Sequence, residues 1–172
     1  MQQEKLEKCL IIGENSQSQK RPDMIFNKME VNKQLLKNHL TNFKLNKNNA
    51  AEYYVQLFTL HPEMADYYGA EGIEPESLCK SQKFIMQGMQ EFQCFFRLVD
   101  TYGDGNTWRG ACANFKEIYN DRDIPLDKFS IVGDALITAI SKHAGEASAE
   151  QKESWKNLIK KASEDMKAFG WY

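Results

Sequence analysis

A helix opening at Glu74 or Ser77 and ending at the glycine-rich residues 103–106 carries Phe84, Gly88, Phe92, Phe95 and Val99 at three- and four-residue steps, all on one face. A stripe this long and aromatic is stable only against other apolar surfaces, and the rest of the chain supplies them in the same form. Leu35, Leu36, His39, Leu40 and Phe43 make a first helical stripe from Val31 onward, and residues 46–49 (all Asn or Lys) break it and offer a cap for the next helix. That next helix runs through Tyr53, Tyr54, Leu57, Phe58 and Leu60 to a turn at His61 and Pro62. Residues 107–119 form a short helix, and Pro125 stands at the first turn of another that carries Phe129, Val132, Leu136, Ile137 and Ile140. Ser148 caps the last, with Trp155, Leu158, Ile159, Ala162, Met166 and Phe169 at helical spacing. No segment alternates as a strand does. The expectation is an all-α fold of six to eight helices of unequal length, unlike the matched helices of an up-down bundle.

Composition removes several classes of function. At 172 residues the chain suits one domain with one core, and its 22 basic against 24 acidic residues leave a net charge of -2 with no basic face to follow a phosphate backbone. Nucleic acid is therefore not an expected partner. Cys9, Cys79, Cys94 and Cys112 are far apart and contain no C-x-x-C pair, so they indicate neither a zinc site nor a disulfide framework. The apolar run at residues 9–12 is too short for a signal-peptide core, and nothing approaches the roughly 20 apolar residues of a membrane span. A reduced, cytoplasmic setting is expected. Residues 1–30 mix charge, Gln and Ser and read as a flexible extension in which residues 25–29 could begin a helix, with one domain over residues 31–172. Residues 100–106 lack the oxygen spacing and the terminal Glu of a calcium loop, and three scattered histidines give no nucleophile a positioned base.

Residues 54–62 resemble the second helix and proline corner of a globin, with Tyr54 at the position that overhangs the iron. Residues 80–88 resemble the distal helix of nematode-type globins and put Gln87 where others carry the distal His or Gln. Gly88 and Ala50 fall where small residues let two helices cross, and Tyr68 where a phenylalanine is wedged against the haem. Residues 119–129 match a segment that reads His-x-x-Arg-x-Ile in many invertebrate globins, so Tyr119 stands at the proximal position with Arg122 and Ile124 in step behind it. The likeness extends over about residues 31–169. It implies a globin fold and a pocket for haem b or a small gaseous or apolar ligand, bordered by Tyr54, Tyr68, Gln87, Glu91, Phe115, Arg122, Ile124 and Phe129, with Tyr119 as the metal ligand.

Two residues depart from that pattern. Tyrosine binds iron as a phenolate and favours the ferric state, so a haem held by Tyr119 implies a redox protein, a ligand sensor or weak peroxidase-like activity rather than oxygen carriage. His39, His61 and His143 offer no replacement ligand and are expected to be surface or partly buried helix residues. Glu91, one turn beyond Gln87, puts a carboxyl where globins keep an apolar contact with haem. Two functions stay open. In one, Tyr119 phenolate holds ferric haem, Tyr54 and Gln87 face a distal ligand, and Arg122 pairs with a propionate. In the other, Tyr119, Glu91, Gln87 and Tyr54 close a contracted pocket by bonding to one another, and the protein is a haem-free regulatory or interaction scaffold with a protein partner or a second copy of itself. Cys94 and Cys112 are read as small hydrophobes rather than redox sensors.

Overall fold

The computed structural model describes residues 30–172; the expected flexible extension, including the helix that residues 25–29 could begin, lies outside them. The described residues form six α-helices and no strand: α1 (Lys33–Phe43), α2 (Glu52–Leu60), α3 (Gln82–Thr101), α4 (Gly105–Asn120), α5 (Phe129–Ala144) and α6 (Ala149–Ala168). Short 3-10 turns at Pro62–Met64, Asp66–Tyr68, Pro75–Lys80 and Leu126–Lys128 make the corners. In the tertiary arrangement α2 packs on α5, α3 on α4, α5 on both α6 and α1.

Local chemistry sets most of these boundaries. Asn32 caps α1 by accepting from the Leu35 amide at 3.1 Å, and its own amide donates to Ser154 Oγ at 3.2 Å, so the folded body starts by being tied to α6. Ser148 begins α6 with a complete capping box, its Oγ taking the Gln151 amide while the Gln151 side chain takes the Ser148 amide. Asn49 works differently from the sequence expectation. Its side chain donates back to the Phe43 carbonyl and accepts from the Asn46 amide, so it closes the end of α1, and α2 starts at Glu52 behind Ala51 without a side-chain cap.

Three further boundaries move. The long helix begins at Gln82, not at Glu74 or Ser77, because Pro75–Lys80 winds as a 3-10 turn that buries Leu78 against α2 and Ser81 is extended. The helix after the glycine-rich corner is not short: it covers 16 residues from Gly105 to Asn120. Pro125 stands outside a helix, in extended conformation, followed by one 3-10 turn before α5. Between α4 and that turn the chain reverses tightly, with Asp123 at φ 53° and the Ile124 amide donating to the Tyr119 carbonyl at 3.1 Å.

One glycine decides how closely the core can close. A Cβ on Gly88 would lie 2.0 Å from the Ala50 carbonyl oxygen, so α3 can cross the start of α2 at this distance only with glycine there. That crossing brings the face of α3 carrying Glu91 against Tyr53 and Tyr54.

Candidate functional site: a buried carboxyl among four tyrosines

The centre of the molecule is aromatic. Tyr53 and Tyr54 on α2, Phe84, Phe92 and Phe95 on α3, Phe115 and Tyr119 on α4 and Phe129 on α5 are all buried. Their rings pack edge-on or tilted, with Tyr54–Phe84 centroids 5.2 Å apart, Tyr53–Phe95 5.6 Å, Phe115–Tyr119 4.7 Å and Tyr119–Phe129 4.7 Å. Helical spacing accounts for one of these pairings, since Phe115 and Tyr119 are one turn apart on α4, and the other three join different helices.

Glu91 enters this apolar volume with 1 % of its surface exposed. Tyr54 donates to Oε2 at 2.6 Å and Tyr119 to Oε1 at 2.7 Å, while Tyr68 donates to Oε1 over a longer 3.4 Å. Tyr53 and Tyr119 hydroxyls lie 3.2 Å apart. Since Tyr119 commits its proton to the carboxylate, Tyr53 is the donor in that pair. The arithmetic of protons closes: four hydroxyls each have an acceptor, and one carboxylate supplies three of those acceptors. Protonated Glu91 would add a fifth donor to the same set and leave one of them without a place.

The electrostatics pull against that arrangement. Burial, the largest influence, lifts the Glu91 carboxyl above its ordinary range; the hydrogen bonds from Tyr54 and Tyr119 and the charge of Arg122 only partly oppose it. Tyr53, Tyr54, Tyr68 and Tyr119 are each held well above the usual phenol range, first by burial and then by the nearby Glu91 charge. Each is therefore a neutral donor at physiological pH. Tyr119 in this setting is a phenol bound to a carboxyl, whereas a ligand to iron must be a phenolate.

The residues singled out in sequence divide clearly. Tyr54, Tyr68, Glu91 and Tyr119 converge in one network, and Phe115, Ile124 and Phe129 wall it, all of them buried. Gln87 does not join: its Oε1 is buried and has no hydrogen-bond partner among the described residues. Arg122 donates to the Ile118 carbonyl and lies over the Tyr68 ring, 4.8 Å from its centroid. Tyr53 is the member that sequence reasoning did not assign to the site. It reads as an apolar-stripe residue with Leu57, and only the hydroxyl of a tyrosine in that stripe hints at a buried polar partner.

The histidines lie elsewhere. His39 is more deeply buried than expected, at 3 % exposure, because α1 packs on α6 and its Nδ1 accepts from Trp155 Nε1 at 3.2 Å. Burial lowers its affinity for a proton. His143 Nε2 faces Glu52 at 3.5 Å, and His61 Nδ1 lies 3.8 Å from Glu63. Among the described residues no group of three His, Cys, Asp or Glu side chains is arranged to hold a metal ion. Burial pushes the Cys94 thiol up to about 11 and the Cys112 thiol to about 12, so both are protonated and weakly reactive at neutral pH. No described helix is long and apolar enough to cross a membrane.

Comparison with curated proteins gives no match. The Globin family model matches residues 51–166, more than half of the chain and the whole span from the first turn of α2 to the last turns of α6. With the helix order, the close crossing at Gly88 and the aromatic centre, that match makes this chain a member of the globin family.

Proposed function

We propose that this globin works without haem, as a regulatory or interaction scaffold whose central pocket is closed by Glu91 and its tyrosines. The observation that carries this reading is the single carboxyl that joins Tyr54 to Tyr119, the residues that a globin resemblance sets on opposite faces of the cofactor. A flat apolar porphyrin has no room between two hydroxyls bonded to one carboxyl. Seating it would break both short bonds and bring Glu91 against an apolar ring without a partner, a position that costs several kcal/mol for a buried ionised group. The residues present do not fit haem, and no step of the function runs through it. Function then belongs to the surface of the scaffold and to whatever binds there, a protein partner or a second copy of the chain being the two classes.

The test is a haemin titration of the purified protein, read in the ferric state and after dithionite and carbon monoxide. The expected result is no saturable Soret band from a protein that unfolds cooperatively. A one-to-one band with phenolate-type ferric features, abolished in Tyr119→Phe, overturns the proposal and restores a tyrosine-ligated redox or ligand sensor. If the pocket can open, Tyr119→His would strengthen haem binding and favour the ferrous form; unchanged spectra agree with a pocket that Glu91 closes.

A further inference from the structure

The phenols around Glu91 can give up an electron without giving up a proton to solvent. A phenol, itself a weak acid, becomes a strong one on losing an electron, and a base must then take its proton. Tyr119 has that base in contact, since it already donates to Glu91 Oε1 at 2.7 Å. After the transfer the bond reverses: Glu91 donates and the phenoxyl oxygen accepts. The Tyr53 hydroxyl, 3.2 Å away, still has the Tyr119 oxygen as its acceptor. Donors and acceptors therefore match before and after the loss of the electron, whereas a proton added to Glu91 from outside would leave one donor without a place. Charge favours the same step. Burial opposes the ionised form of Glu91 and raises its affinity for a proton. Oxidation with internal proton transfer replaces a buried anion and a phenol by two neutral groups, so the desolvation that disfavours the resting carboxylate assists the oxidation.

Two phenols make short bonds to Glu91, and their ring contacts choose between them. The Tyr54 ring touches Tyr53, Phe58, Tyr68 and Phe84, all buried. The Tyr119 ring lies 4.7 Å from Phe129, and Phe129 meets Tyr172 edge-on at 5.9 Å. Tyr172 is 44 % exposed. Tyr119 thus combines a carboxylate that takes its proton, a second phenol that donates to its oxygen, and a short run of touching rings to a phenol in water.

We infer that Tyr119 and Glu91 form a one-electron redox site, which stores the oxidising equivalent of a small radical that attacks Tyr172 from solution. The radical takes an electron from Tyr172, which releases its phenolic proton to water, and leaves as its anion. Tyr119 then passes an electron to the Tyr172 phenoxyl, which recovers a proton from water, while the Tyr119 O–H bond breaks and its proton moves to Glu91 Oε1. The result is a neutral Tyr119 phenoxyl beside a neutral carboxylic acid. A one-electron reductant of the ascorbate class reverses it, the Glu91 proton returning to the Tyr119 oxygen. The site rests on the closed pocket proposed above. Saturable haemin uptake would overturn both readings, whereas a protein that takes up no haemin and holds no lasting radical overturns this one alone.

The experiment is pulse radiolysis of the full chain with a substoichiometric dose of azidyl radical, which takes one electron and leaves as azide. The phenoxyl is followed by its absorption and by electron spin resonance of frozen samples. The parent is expected to give a phenoxyl that decays at a rate independent of protein concentration, because a buried ring cannot couple to a second chain. Tyr119→Phe should leave only surface phenoxyl, which couples into dityrosine and disappears at least about tenfold faster. Tyr54→Phe leaves the bond between Tyr119 and Glu91 in place and should keep the lasting signal, and the exposed change Tyr172→Phe should slow its appearance about tenfold. In a Glu91→Gln protein that melts as cooperatively as the parent the signal should vanish, since a neutral amide is too weak a base for the proton. The assignment is overturned by a parent without a concentration-independent phenoxyl, by an unchanged signal in Tyr119→Phe or in folded Glu91→Gln, by its loss in Tyr54→Phe, or by an unslowed appearance in Tyr172→Phe.

Discussion

Two glutamates among the described residues are buried, and their surroundings send them in opposite directions. Glu52, in the first turn of α2, is 4 % exposed and accepts from Lys142 Nζ at 2.8 Å and from Gln56 Nε2 at 2.7 Å, with His143 Nε2 3.5 Å away. Glu91 is buried as deeply but, among the described residues, is bonded only by hydroxyls. Burial acts first on both and raises both, yet at Glu52 the bonds from Lys142, Gln56 and His143 outweigh it and the carboxyl ends below its ordinary range. At Glu91 no cation among the described residues makes direct contact and the carboxyl ends above it. An ammonium compensates a lost hydration shell better than neutral donors do. Glu52 is accordingly a clamp between α2 and the end of α5, with a helix dipole favouring each charge at its own terminus. Glu91, on α3, is held by hydroxyls from three other elements at once: α2, the Asp66–Tyr68 turn and α4.

The sharpest way to break the comparison is to delete each carboxyl. Glu91→Ala strands the hydroxyls of Tyr54, Tyr68 and Tyr119 in an apolar interior and leaves a cavity, and is expected to lower unfolding free energy by about 3–5 kcal/mol in urea titrations. Glu52→Ala should cost less, about 1–2 kcal/mol, because the Lys142 side chain is 55 % exposed and water replaces its partner. Equal losses would mean that the cation at Glu52 matters no more than the hydroxyls at Glu91.

The two sites also predict opposite slopes of stability with pH. Starting from the ordinary carboxyl value of 4.5, the folded Glu91 value is raised, so its contribution is full below 4.5 and is lost as pH climbs through the folded value. The folded Glu52 value is depressed, so its contribution is present above 4.5 and is lost as pH falls through the folded value. Glu91→Gln should therefore remove a decline above pH 4.5, and Glu52→Gln a decline below it, in thermal melts across that range. Matching profiles for the two variants would show that their environments are alike. The smallest effect belongs to Tyr53→Phe, expected at about 0.5–1 kcal/mol, since it removes a donor to Tyr119 and leaves no donor unpaired.

Much of the architecture was legible because it rests on local rules. The stripe from Phe84 to Val99 and the Ser148 cap follow from spacing and side-chain chemistry, and the Gly88 crossing from the resemblance to a globin. The misread boundaries have a common cause, which is tertiary packing acting on a corner. Leu78 is buried by α2 and winds its segment into a 3-10 turn, and Asn49 serves the helix behind it instead of the one ahead. Of the site, Tyr54, Glu91 and Tyr119 could be named from one dimension. Gln87 could not be left out, nor Tyr53 brought in, because a side chain on the same helix face says nothing about which hydroxyl reaches which acceptor.

By itself the sequence determined that this chain is an all-helical globin with Tyr119 and Glu91 on the faces of its helices, since composition, periodicity and residue identity are one-dimensional facts. Only the tertiary structure decided how that carboxyl is accommodated. Helices α2, α3 and α4 had to be packed before their hydroxyls could meet one acceptor at 2.6 and 2.7 Å. Hydrogen bonds operate over such distances and angles alone, and residues 37 and 28 positions apart in the chain acquire them only in three dimensions.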